Sequence, residues 1–167
     1  MSTLLKNVHL QNYRGLIDNS LLEIENTEII KRIWNRDFTV WKNSPEEIVN
    51  RLAWLDIAQE MLGEVQTINE FVNDLLMEGY QNVLLMGMGG SSLAPEVYRK
   101  IFGKKEGYLD LWILDSTDPG MIQFYVRFLD PSKTLFIVST KSGETIETLS
   151  FFKYFYTFLE EKLGRDQ

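Results

Sequence analysis

Two short runs concentrate the hydroxyl, amide and cationic chemistry of this sequence: Gly87-Met88-Gly89-Gly90-Ser91-Ser92 and Thr140-Lys141-Ser142-Gly143-Glu144-Thr145. In the first, the glycines let backbone approach a ligand without Cβ obstruction and permit positive φ. Its serine hydroxyls can donate, and a helix beginning there adds unpaired amides and the positive end of a dipole. The second run repeats the scheme with three hydroxyls, one glycine and one lysine, again entering a helix. A phosphate group needs several N–H and O–H donors converging on its oxygens, and these runs supply that kind of donor. Each run taken alone has a plainer reading: Gly-Gly after a strand as a tight turn, Ser-Gly before a helix as a cap. The spacing is not a Walker A loop, since no Gly-Lys-Ser/Thr follows four residues after Gly87. Nor is it the dinucleotide fingerprint, because position 92 is serine rather than glycine.

What decides between these readings is how the chain positions the runs. Val83–Met88, Leu109–Leu114 and Thr134–Ser139 are short, nearly continuous apolar stretches, starting roughly 25 residues apart. Each is followed by a loop and a helical pattern: Pro95–Phe102, Pro119–Phe128 and Glu144–Leu163. Continuous rather than alternating apolarity marks strands buried on both faces, hence a parallel sheet covered by helices. The expected fold is α/β, an open parallel sheet of doubly wound type. Three strands are few for such a sheet, so it is expected to be incomplete and the chain to be an N-terminal fragment, with Thr134–Ser139 as an edge strand. In an open sheet, ligands sit beyond the carboxyl ends of the strands where the order reverses. If the order begins 2-1-3, the two runs face each other there. The loop after the second strand lies to one side, and its Asp118-Pro119 reads as an N-cap and first helical residue. Asp115 could touch a ligand, although a capping role is favoured.

Upstream, residues 1–43 form an arm in which Ile30, Ile33, Trp34, Phe38 and Trp41 recur at helical spacing and define one apolar face. Residues 44–80 read as a helical pair. Ser44-Pro45-Glu46-Glu47 opens a helix that Gly63 stops, and Thr67-Ile68-Asn69-Glu70 opens a second that ends near Gly79. Residues 81–167 hold the three βα units. Trp34, Trp41, Trp54 and the Phe151–Phe158 aromatics are expected in the core. Glu144 should face solvent, away from a bound anion, and His9 should have a surface or packing role.

Composition narrows the partners. A net charge of −7 counts against non-specific nucleic-acid binding. It also opposes an anionic ligand, unless local donors act inside the screening length of about 8–10 Å. No apolar run approaches the roughly 20 residues that span a membrane. The absence of cysteine excludes disulfides and thiolate metal sites, and a single histidine offers no metal cluster. No metal or cofactor is expected, and the composition fits a cytoplasmic protein.

With these residues in view, the chain resembles the glucose-6-phosphate isomerase family, whose catalytic core is a pair of flavodoxin-like sugar isomerase (SIS) domains. The resemblance rests on the segments running from Leu85 to Glu96 and from Phe136 to Thr148, with Leu114-Asp115-Ser116-Thr117-Asp118-Pro119 between them. The segment Ile33–Trp41 is similar to the isomerase half of transaldolase–isomerase fusions. The resemblance implies that Thr140, Lys141, Ser142 and Thr145 hold a sugar phosphate while Gly90 and Ser91 line the sugar side. It implies interconversion of glucose 6-phosphate and fructose 6-phosphate through a cis-enediol, in a protein that is typically a homodimer. It assigns no catalytic residue to this chain, because the family's glutamate base and assisting groups lie in later segments. Glu144 departs from the small residue frequent in relatives. Two alternatives remain open at this point: a non-catalytic SIS module that senses a sugar phosphate, or another SIS isomerase or aminosugar-phosphate enzyme.

Overall fold

The computed structural model describes residues 11–164, which fall into two compact units, one up to Val65 and one from Gln66 onward. His9 lies outside the described residues.

In the first unit, helices α1 (Arg14–Asn26) and α2 (Ile29–Trp34) are followed by 3-10 segments at Phe38–Val40 and Val49–Leu55. The apolar face expected from Ile30 to Trp41 does not form as one helix, because Arg36 adopts φ +58° and ends α2. The helical register is lost at that point, and Trp34, Trp41 and Trp54 end up exposed rather than in the core. The turn is pinned by ions instead. Arg32 Nε donates to Asp37 at 2.7 Å, and Asp37 accepts from the Thr39 amide at 2.9 Å. The Thr39 hydroxyl, Arg32 and the Thr39 amide hold the Asp37 carboxyl down at about 2. Arg36 also pairs with Asp56.

Helix α3 runs unbroken over Ile57–Met77, where the local signals predict two helices. Gly63 does not stop it and Thr67 does not open a new one. Met61, Val65, Ile68, Val72 and Leu75 continue one apolar stripe at spacings of four and three across both signals, although Met61, Val65 and Ile68 are exposed. A glycine inside a helix costs only about 1 kcal/mol relative to alanine, which is too little to end a helix made of good formers on both sides. The Ser44-Pro45 start also fails to nucleate an α-helix. Glu47 takes φ +59°, and the chain enters the 3-10 segment in which Leu52 and Leu55 are buried.

The second unit carries the sheet. Strands β1 (Asn82–Gly87), β2 (Asp110–Leu114) and β3 (Thr134–Ser139) are parallel and ordered β2-β1-β3. Each leads into a helix: α4 (Gly90–Phe102), α5 (Pro119–Phe128) and α6 (Ile146–Leu163). This is the doubly wound arrangement expected, with the order reversing at β1. Leu84, Met86 and Leu114 pack with Tyr125 and Leu129 at α5 and with Phe151 and Phe155 of α6. Full burial of each such side chain stabilises by about 1.5–3 kcal/mol. The Tyr125 hydroxyl donates to the Ile113 carbonyl at 2.8 Å and ties α5 to β2. The alternate face is less covered than continuous apolarity suggests: Val83, Leu85 and Leu111 are half-buried and Ile137 is exposed. Among the described residues β3 pairs with β1 alone and is an edge strand.

Candidate functional site

The parallel sheet places both donor loops at one end. Gly87 closes β1, Ser139 closes β3, and the two are paired in register, so each loop leaves the sheet beside the other. The approach is tight at that pair. A Cβ on Gly87 would stand 2.9 Å from the Ser139 carbonyl oxygen and 3.0 Å from the Ser91 Cβ. Ser91 of the first loop thus lies against the base of the second.

The first loop turns at Gly89, where φ is +56° and a side chain would be strained. Gly89 and Gly90 have nothing within 4 Å of the Cβ positions they lack. Their backbone is therefore open to an approaching group. Ser92, in contrast, is buried, and its hydroxyl donates to the Gly89 carbonyl at 3.0 Å. Of the two serines, Ser92 braces the turn and Ser91 is half-buried, its hydroxyl bonded to nothing among the described residues.

The second loop is organised by its own hydroxyls. Thr140 Oγ1 lies 3.3 Å from Thr145 Oγ1 and accepts from the Gly143 amide at 3.3 Å. Ser142 Oγ accepts from the Glu144 amide at 3.2 Å. Gly143 turns the chain with φ +76°. Thr140, Lys141, Ser142 and Thr145 are thus held within one short turn ahead of α6. Lys141 is exposed and pairs with no carboxylate among the described residues. Glu144 is exposed, in line with the solvent-facing position expected for it.

The helix starts separate the two loops from the third. Helix α5 is self-capped: Asp118 accepts from the Met121 amide at 3.1 Å, with Pro119 in the first turn. The Asp118–Pro119 reading holds. Asp115 caps nothing among the described residues, which removes the capping role favoured for it. Gly89 is the N-cap of α4 and Thr145 that of α6, and neither side chain caps its helix. In α4 the Ser91 and Ser92 amides are already taken, donating to the Met88 and Gly89 carbonyls at 3.2 and 3.1 Å. The first-turn amides of α6 have no acceptor among the described residues, and a helix N-terminus in that state favours an anion by charge and by hydrogen bonding.

Sequence reasoning missed two contributors. Ser139 is ordinary strand sequence until the β1–β3 register sets it against Gly87. Thr148 is fully buried in the first turn of α6, and its Oγ1 has no hydrogen-bond partner among the described residues. A cavity of about 340 Å³ lies at the other end of β3, lined by Tyr80, Thr134, Phe136 and Tyr156 among others, away from both loops.

Comparisons with known proteins point to one family. The sequence model of the family described as phosphoglucose isomerase matches residues 57–166. A glucose-6-phosphate isomerase of Thermus thermophilus is 35% identical over 117 residues, covering 69% of this chain and 26% of that protein. The probable glucose-6-phosphate isomerase of Methanococcus maripaludis is 28% identical over 161 residues, covering 93% of this chain and 34% of that protein. Among solved structures, a hypothetical protein from Thermus thermophilus superposes with a TM-score of 0.61 at 27% identity, over 88% of this chain and 33% of its own. The chain therefore spans only about a quarter to a third of the relatives it matches.

Proposed function

The chain belongs to the phosphoglucose isomerase family, and from that premise we propose that its residues form the sugar-phosphate-binding part of an isomerase interconverting glucose 6-phosphate and fructose 6-phosphate. The observation that carries the reading is the uncapped start of α6 beside the open Gly89-Gly90 backbone, at the point where strand order reverses. The phosphate sits on the Thr140, Ser142 and Thr145 hydroxyls and the first amides of α6, with Lys141 supplying the opposing charge. The sugar extends across the open backbone of Gly90 toward Ser91. These groups bind and orient. The proton transfer between adjacent carbons of the open-chain sugar needs a base, which in this reading comes from polypeptide outside the residues placed here. Residues 81–167 then belong to the first SIS domain of a cytoplasmic homodimer that works without metal or cofactor.

Calorimetric titration of the chain with fructose 6-phosphate, glucose 6-phosphate, glucosamine 6-phosphate and unphosphorylated fructose tests the reading. Both hexose phosphates should bind, fructose should not, and the chain alone should not turn fructose 6-phosphate over. Equal affinity for fructose and its phosphate removes the anion site. Preference for glucosamine 6-phosphate moves the reading to an aminosugar enzyme, and substantial turnover places the base within this chain.

A further inference from the structure

We propose that Gly87 is a positioning residue: the side chain it lacks sets the separation between the Gly90–Ser91 donors and the Thr140–Thr145 donors. The inference rests on the functional reading above and assigns that site's geometry to one residue. Gly87 is not at positive φ, so backbone freedom does not explain it. Space does. The missing Cβ would meet the Ser139 carbonyl oxygen at 2.9 Å, the Ser91 Cβ at 3.0 Å and the Ser139 Cβ at 3.4 Å. The end of β1, the end of β3 and the first turn of α4 thus converge within the width of a methyl group. The nearest of these atoms is backbone, which cannot rotate away as a side chain can.

A methyl group at position 87 has two ways to be accommodated, and both open the same gap. Either β3 slides away from β1, carrying the Thr140 loop with it, or the first turn of α4 lifts, carrying Gly90 and Ser91. Within each loop the bonds are local, from Thr140 to Gly143 and Thr145 on one side and from Ser92 to Gly89 on the other. Each loop therefore keeps its own shape while the distance between them grows. A ligand held by one loop is indifferent to that distance, and a ligand that bridges both is not.

The test is the ratio of two affinities in the full chain and its Gly87→Ala variant: fructose 6-phosphate, which bridges the loops, against inorganic phosphate, which needs only the second. Fructose 6-phosphate should weaken by up to about tenfold, the upper end for one lost hydrogen bond to a neutral sugar hydroxyl, and inorganic phosphate by less than about twofold. A general loss of stability lowers both alike, so an unchanged ratio overturns the proposal. Should Gly87→Ala not fold, Gly87→Ala/Ser91→Gly removes the contact at 3.0 Å and takes its place. A ratio equal to that of Ser91→Gly alone then overturns it. A wild-type chain that binds neither ligand removes the functional reading and this inference together. Binding of both with the ratio intact in the variant removes this inference alone.

Discussion

Replacing Ser142 and Thr145 together by alanine separates binding from folding. In the free loop these hydroxyls do little for stability. Ser142 Oγ accepts from the Glu144 amide at 3.2 Å in an exposed turn, so water replaces it on truncation. Thr145 Oγ1 meets Thr140 Oγ1 at 3.3 Å, at the long end of hydroxyl hydrogen bonding, and makes no cap on α6. The combined stability loss should stay under about 1 kcal/mol, as for exposed positions that leave no buried group unpaired. Binding is a different matter, because under the proposed function each hydroxyl would donate to an ionised acceptor. Two lost donors, partly replaced by water, should weaken fructose 6-phosphate by about 1–3 kcal/mol, or roughly 5- to 150-fold in Kd. Calorimetric titration gives the affinity and thermal unfolding gives the stability. An unchanged Kd in a variant that melts normally refutes the assignment of these two residues to the phosphate. A large fall in melting temperature that accompanies the affinity loss refutes the separation, and places the hydroxyls in loop folding.

Three further outcomes follow from the packing of the second unit. Tyr125→Phe removes the buried donor to the Ile113 carbonyl and should cost about 1 kcal/mol in urea unfolding; a neutral result means that the carbonyl does not depend on that donor. Thr148→Val keeps the shape and deletes a fully buried hydroxyl with no partner among the described residues, so stability should hold or rise by up to about 1 kcal/mol, and a clear loss would show that the hydroxyl is bonded. Glu96 is held at about 2, below its ordinary 4.5, chiefly by hydrogen bonding from Arg99, whose guanidinium reaches it at 2.8 and 3.1 Å. Its folded value is depressed, so its contribution is fully present above pH 4.5 and is lost as pH falls toward 2. The stability difference between wild type and Glu96→Gln should therefore shrink over that window, and a difference that stays constant all the way down contradicts the pairing.

What could be read from the sequence divides by the range of the forces involved. The three strands were legible because a strand inside a parallel sheet must be apolar along its whole length, and Thr134–Ser139 matches residue for residue. The order 2-1-3 entered the sequence reading as a condition, because the rule for open sheets says where a ligand sits once the order is known, and the structure meets that condition. Local punctuation was less dependable wherever a longer apolar stripe opposed it. Gly63 and Thr67 carry good stop and start signals, yet the stripe from Met61 to Leu75 runs through them as one helix. Pro95 reads as a first helical residue, but α4 begins at Gly90 and holds the proline inside. That placement denies the Ser91 carbonyl its usual helical donor, because proline has no N–H to offer.

The candidate site shows the same division. Residue types identified which groups could donate, and they did so in both loops. They could not identify which donors were already spent. Ser91 and Ser92 are equivalent as letters, but one is half-buried with its hydroxyl unbonded among the described residues and the other is buried and bonded to Gly89. Gly87, Gly89 and Gly90 also look alike, yet their work differs. Gly89 supplies a positive φ, Gly90 supplies open backbone, and Gly87 supplies an absence of volume against Ser139 and Ser91. That last role depends on which residue of β3 is opposite Gly87, and register between strands more than 50 positions apart in the chain is set by the packing of the whole sheet. A glycine in a binding motif therefore cannot be assigned from the motif alone. Its job is fixed by what stands where its side chain would be, and at position 87 what stands there is Ser139, from which the second donor loop leaves the sheet, together with Ser91.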